Sequence, residues 1–136
     1  MTVYIASRFE RKHEMKALVS LFAEHNIQVE SRWLDEDISP QSQLSDLTPI
    51  YCRSKAEIDL EDIDSADTLV FFSDAVPTTV RGGKHVEFGY ALGTGKRIVV
   101  IGLHENIFHY LPHVVQYNSI EDFLDAEGIE NAPVAE

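Results

Sequence analysis

Glu87 is the residue whose type and setting most directly suit chemistry. It lies in RGGKHVEFGYALGTGKR, Arg81 to Arg97, a stretch that opens on two glycines and closes with Gly93, Gly95 and Lys96. Apolar residues recur at Val86, Phe88, Tyr90, Ala91 and Leu92, a spacing that predicts a helix packed on one broad face. Glu87 then falls about one turn into that helix. A carboxylate near a helix start meets free N–H groups and the positive end of the macrodipole. The expectation is an ionised group, suited to act as a nucleophile or a metal ligand. The same position equally suits a glutamate that only complements the dipole.

A glutamate needs a scaffold to bring partners to it, and the rest of the chain supplies one. Thr2–Ala6 predicts a buried strand, and 10–25 a helix that stops at Asn26. Ile27 to Trp33 alternates and predicts a half-buried second strand. Leu34 to Thr48 is acidic and turn-rich, which predicts a mobile loop or lid. Pro49 suits the first position of a helix running to about Ser65. Asp67 to Phe72 and Arg97 to Gly102 predict two central strands, with Ser73 to Gly83 a loop between the first of them and the Glu87 helix. Leu103 to Pro112 predicts a loop with a short turn, Val114–Tyr117 a fifth strand, and Ser119 the cap of a last helix. Glu130 to Glu136 predicts a frayed tail.

Alternation of this kind predicts an α/β fold of three layers, flavodoxin-like or Rossmann-like. Its five-stranded, mostly parallel sheet would carry helices on both faces. Such sheets bind ligands beyond the carboxyl ends of their strands, where the strand order reverses. That rule gathers Tyr4 to Arg8, Ser73 to Gly83, Gly102 to Glu105 and the start of the Glu87 helix.

The 136 residues predict a single domain spanning 1–136, and 44% hydrophobic residues suit a globular core. The net charge of -12 disfavours duplex nucleic acid as a partner, although a small anion can still be held by a few converging cations. One cysteine, Cys52, fits a reducing cytosol, and the start MTVYIASRF has no secretory pattern, so a cytoplasmic location is expected. No apolar run reaches the roughly 20 residues that span a bilayer, so no membrane association is expected. The six histidines are scattered, and His109 and His113 flank Pro112, so neither a metal nor another cofactor is expected.

With these elements placed, the chain resembles the nucleoside 2-deoxyribosyltransferase family, which includes the 2'-deoxynucleoside 5'-monophosphate N-glycosidases. The resemblance runs along nearly the whole chain and rests on three segments in order. The first strand carries Tyr4. In DLEDIDSADTLVFF, Asp59 stands eight residues before Asp67 of an Ala-Asp pair. VEFGYALGTGKRIVVI matches the family's Glu-x-Gly-x-Ala block with its Gly-Lys turn into a strand. The resemblance implies Glu87 as the nucleophile on the anomeric carbon and Asp59 as the group handling protons at the leaving base. It implies Tyr4 as the hydroxyl that orients the nucleophile. By residue type alone, Asp59 is one acid among Glu57, Glu61, Asp62 and Asp64, and Tyr4 suits a core tyrosine. Breaking an N-glycosidic bond passes through an oxocarbenium-like state, which a carboxylate and a nearby acid can serve.

One departure bears on the substrate. Six residues before the nucleophile, family members acting on free nucleosides resemble one another in carrying an Asp, and the monophosphate hydrolases in carrying a small hydroxyl residue. Arg81 stands there in this chain, followed by Gly82 and Gly83. An Arg pairs bidentately with phosphate, free helix N–H groups add to the attraction, and Ser7 and Arg8 would complete a cradle. A nucleoside 5'-monophosphate is therefore the expected substrate, with the base released or transferred to another base. Phe9, Trp33 and Phe72 suit stacking on a base or plain core positions; His85 suits the site lining or plain surface, and His104, Phe108 and His109 suit a pocket cover or an oligomer contact. The resemblance implies a homodimer or higher homo-oligomer and a place in nucleotide salvage. Alternatives are a 2-deoxyribosyltransferase on free nucleosides, an enzyme cleaving the same bond type in a nicotinamide dinucleotide, and a non-catalytic nucleotide-sensing module.

Overall fold

A computed structural model describes residues 1–36, 46–74 and 82–128. Five strands form one sheet: β1 (Thr2–Ala6), β2 (Gln28–Val29), β3 (Thr68–Phe72), β4 (Arg97–Ile101) and β5 (Val114–Tyr117). Their spatial order is β2-β1-β3-β4-β5, and every pair is parallel. The reason is visible in the residues. TVYIA, TLVFF and RIVVI are nearly continuous apolar runs, as strands covered on both faces must be. Tyr4, Ile5, Leu69, Val70, Phe71, Ile98, Val99 and Val100 are fully buried.

Four helices supply the covers: α1 (Lys12–Glu24), α2 (Pro49–Ser65), α3 (Gly83–Gly93) and α4 (Ile120–Glu127). Phe22 of α1 packs on Phe123 of α4, with ring centroids 5.9 Å apart, on one side of the sheet. On the other side Tyr90 of α3 donates to Asp64 of α2 at 2.7 Å. The three-layer α/β fold anticipated from the alternation is therefore the one observed. Thr48 caps α2 ahead of Pro49, and Ser119 caps α4 through the Asp122 N–H. Asn26, at φ 59, ends the turn after α1 in the left-handed conformation. No helix among the described residues is long and apolar enough to cross a membrane.

Two local expectations are corrected. The helix expected over 10–25 begins at Lys12, and Phe9–Arg11 forms a 3-10 turn ahead of it. The strand expected over Ile27 to Trp33 pairs only at Gln28–Val29, and Arg32–Asp35 is a second 3-10 turn. Side chains explain the early end. Ser31 Oγ accepts the Ile5 N–H at 2.9 Å, and Asp62 accepts the Arg32 N–H at 2.8 Å. The Trp33 indole donates to the Ile5 carbonyl at 2.9 Å. Groups that would have extended the ladder are thus satisfied by side chains, and the chain turns in over the end of β1.

The acidic stretch expected to be a mobile loop lies, for residues 37–45, outside the described residues. Its first residues are packed: Leu34 is buried, and the Glu36 side chain is largely covered.

Candidate active site

The order β2-β1-β3 reverses direction between β1 and β3, so their carboxyl ends open a cleft there. The cleft is lined by Ser7, Arg8, Phe9 and Glu10 after β1, by Trp33 and Glu36 after β2, by Asp59 of α2, and by Gly82, Gly83, Lys84 and Glu87 at the start of α3. The segments after β1 and β2, the interior of α2 and the start of α3, distant in sequence, meet on this edge.

Tyr4 sits inside β1 with no exposed surface, and its hydroxyl donates a short hydrogen bond to Glu87 Oε2. Burial and the charge of Glu87 push the phenol well above its ordinary range, so it stays a neutral donor. Glu87 reaches from α3 to the Tyr4 hydroxyl of β1. Here the structure overturns an expectation. Instead of being held ionised by the helix start, Glu87 is pushed up to about 8. Burial is the main cause and the neighbouring Asp59 the second, while the Tyr4 hydrogen bond pulls it down.

Asp59 faces the cleft from α2, whereas residue type alone would have allowed a solvated face. Its Oδ1 is sealed from solvent and has no hydrogen-bond partner among the described residues. Burial pushes Asp59 up to about 7, helped by Glu36 and Asp62 and opposed by Lys55 and Arg32. Two carboxyl groups therefore share one cleft, each inclined to hold a proton near neutrality. When the pair holds a single proton it has two forms; the higher value of Glu87 favours the proton on Glu87, and the form with Glu87 charged and Asp59 protonated is the one suited to nucleophilic attack.

The other end of the cleft is cationic and glycine-rich. Gly82 precedes α3 at φ 85, a left-handed conformation that favours glycine. A Cβ built at Gly82 or Gly83 meets no atom within 4 Å, so the backbone of the helix start is open to the cleft. Ser7 is buried and donates to the Arg8 carbonyl at 2.9 Å. Arg8 Nε lies 3.3 Å from Asp74, which leaves its terminal nitrogens without a partner among the described residues. Lys84 is already engaged: its ammonium is buried between Asp74 at 2.7 Å and Glu105 at 2.6 Å, over the Phe71 ring. Arg81 lies outside the described residues.

The structure thus brings together Tyr4, Ser7, Arg8, Asp59, Gly82, Gly83 and Glu87. Phe9 and Trp33 form the wall of the cleft, with ring centroids 6.0 Å apart. Phe72 is core, only 4% exposed. His109 is also core: it packs on Phe71 and Phe88 and accepts the Glu105 N–H on Nδ1 at 3.0 Å. Residue type gave no signal for Glu36, which sits in an acidic run. Only the packing of the turn 32–35 brings it to the cleft. No group of three or more His, Cys, Asp or Glu among the described residues is arranged to hold a metal ion.

Comparison with solved structures agrees on the architecture. The chain is similar to the CMP N-glycosidase of Clostridium botulinum, with 20% identity, a TM-score of 0.57, and coverage of 93% of this chain and 97% of that one. It is similar to a 2-deoxyribosyltransferase of Bacillus psychrosaccharolyticus, with 16% identity, a TM-score of 0.67, and coverage of 98% and 93%. A 2-deoxyribosyltransferase from Leishmania mexicana matches at 15% identity and a TM-score of 0.53, over 79% of this chain and 68% of that one. No protein-family model and no curated protein sequence matches the chain. At these identities the shared property is the fold.

Proposed function

We propose that this chain cleaves the N-glycosidic bond of a nucleoside or deoxynucleoside 5'-monophosphate through a covalent glycosyl-enzyme. The observation that carries the reading is the Tyr4 hydroxyl bonded to Glu87 with the Asp59 carboxyl in the same cleft. Support also comes from the fold, shared with solved structures of an N-glycosidase and of 2-deoxyribosyltransferases.

In the proposed cycle, a Glu87 carboxylate oxygen attacks C1' of the sugar. The C1'–N bond breaks, its electron pair goes to the base, and the proton held by Asp59 follows to the base nitrogen. Tyr4 steadies the Glu87 oxygens and gives up no proton. Water then attacks C1', Asp59 takes its proton, and the ester bond to Glu87 breaks to return the carboxylate. A second base in place of water gives transfer in place of hydrolysis. Arg8, Ser7, the backbone of Gly82 and Gly83, and Arg81 are the proposed phosphate cradle.

Exposed Val86, Leu103, Ile107, Phe108 and Tyr110 suit a proposed contact between two copies, which light scattering of the purified chain tests.

The direct test incubates the protein with a panel of nucleoside 5'-monophosphates, their deoxy forms and the dephosphorylated nucleosides, and follows free base by chromatography. Base release from monophosphates that disappears in Glu87→Ala supports the reading. Equal turnover of phosphorylated and dephosphorylated substrates removes the phosphate cradle. Tight nucleotide binding without base release favours a sensor.

A further inference from the structure

We propose that Glu36 determines base specificity, selecting nucleobases that present an exocyclic amine over those that present a keto oxygen at the same ring position. This rests on the reading above, since it assumes that the base lies between Asp59 and the aromatic wall.

Glu36 follows the 3-10 turn 32–35, where the Trp33 indole is fastened to the Ile5 carbonyl and the Arg32 backbone to Asp62. The Lys12 ammonium grips the Glu36 carbonyl and lies over the Phe9 ring. The backbone at this point is therefore held from three sides, and the side chain it carries is positioned. That side chain lines the cleft and is only 11% exposed. Its one ionic contact among the described residues is Lys55 at 3.8 Å, too long for a hydrogen bond. Among the described residues this carboxylate has no hydrogen-bond donor.

Phe9 and Trp33, their rings tilted 44° to each other, supply an aromatic wall of the cleft, and Asp59 stands near enough for the charge of Glu36 to raise it. A base resting on that wall with its glycosidic nitrogen toward Asp59 turns an edge toward Glu36. An ionised carboxylate only accepts hydrogen bonds. An amine such as N4 of cytosine or N6 of adenine donates to it. The keto oxygen of uracil or hypoxanthine at the same position sets lone pairs against lone pairs, an arrangement that rejects as well as fails to attract.

Trp33 is the one tryptophan of the chain, so its fluorescence reports binding at this wall without any need for turnover. The experiment titrates Glu87→Ala protein, with and without Glu36→Gln, with CMP against UMP and AMP against IMP. In parallel the protein with Glu87 intact is assayed for base release on the same pairs. The expected result is a preference of about tenfold or more for each amine member, lost in Glu36→Gln, whose amide serves both amine and keto partners. Equal affinity within each pair, or a preference that survives in both Glu36→Gln and Glu36→Ala, overturns the proposal. Amine-selective binding with no base release sinks the enzymatic reading and leaves Glu36 standing as a binding determinant. Base release with no amine preference does the reverse. No fluorescence response together with no base release from any of the four nucleotides removes both.

Discussion

Replacing Glu87 by Gln should stabilise the protein while abolishing its proposed activity, and the gain should depend on pH in a defined way. Glu87 is raised from an ordinary 4.5 to about 8 in the fold. The sign follows from proton binding. Between those two values the folded chain holds a proton that the unfolded chain releases, so folding stability falls as pH rises through the interval. The penalty is absent below about 4.5 and complete above about 8. Each tenfold step in a proton equilibrium is about 1.4 kcal/mol, so the ionised side chain costs the fold at most about 5 kcal/mol. Part of that is repulsion from Asp59, whose own proton readjusts, which leaves roughly 2–4 kcal/mol. The amide keeps the shape of the side chain and still accepts from Tyr4, so packing is preserved. For a chain of 136 residues each kcal/mol moves the melting temperature by about 3–4 °C. Calorimetry at pH 8.5 should therefore show Glu87→Gln melting roughly 6–16 °C above the unsubstituted protein, with the difference shrinking strongly by about pH 5. A variant that melts lower at pH 8.5, or that differs equally at both pH values, would refute the claim that a buried, reluctant carboxyl group occupies this cleft.

Three further outcomes follow from the same geometry. Base release should peak between about pH 7 and pH 8, because the productive one-proton pair loses ground below the Asp59 value and above the Glu87 value; a rate flat from pH 6 to 9 counts against the pair. Tyr4→Phe removes the hydrogen bond that lowers Glu87, so activity at pH 7 should fall by roughly 10- to 100-fold and recover in part at higher pH, measured as kcat against pH. Gly82→Ala forces a side chain into φ 85 and should lower stability by about 1–2 kcal/mol while raising KM for the monophosphate; an unchanged melting temperature would argue against the left-handed turn.

The sheet was legible because its strands announce themselves twice over. Runs such as TLVFF and RIVVI are too apolar for a half-exposed strand, and each is followed or preceded by a helix-period pattern and a turn. Ser119 and Pro49 marked helix starts by local chemistry, and the local chemistry held. The failures share a cause. β2 was read too long because alternation in IQVESRW is real, but Ser31, Arg32 and Trp33 spend their hydrogen bonds on β1 and α2, which no local pattern announces. Glu87 was expected to be charged because helix position is visible in a sequence and burial depth is not. Asp59 and Glu36 stood among many acids, and only tertiary packing shows that they face the cleft.

The central claim is that Glu87 forms a bond to the sugar. Intact-protein and peptide mass spectrometry of an acid-quenched reaction with a nucleoside 5'-monophosphate tests it most directly. The account predicts a mass increase equal to the sugar-phosphate residue, confined to the peptide carrying Glu87 and absent in Glu87→Ala. An adduct on another residue, or undiminished base release by Glu87→Ala, would contradict it.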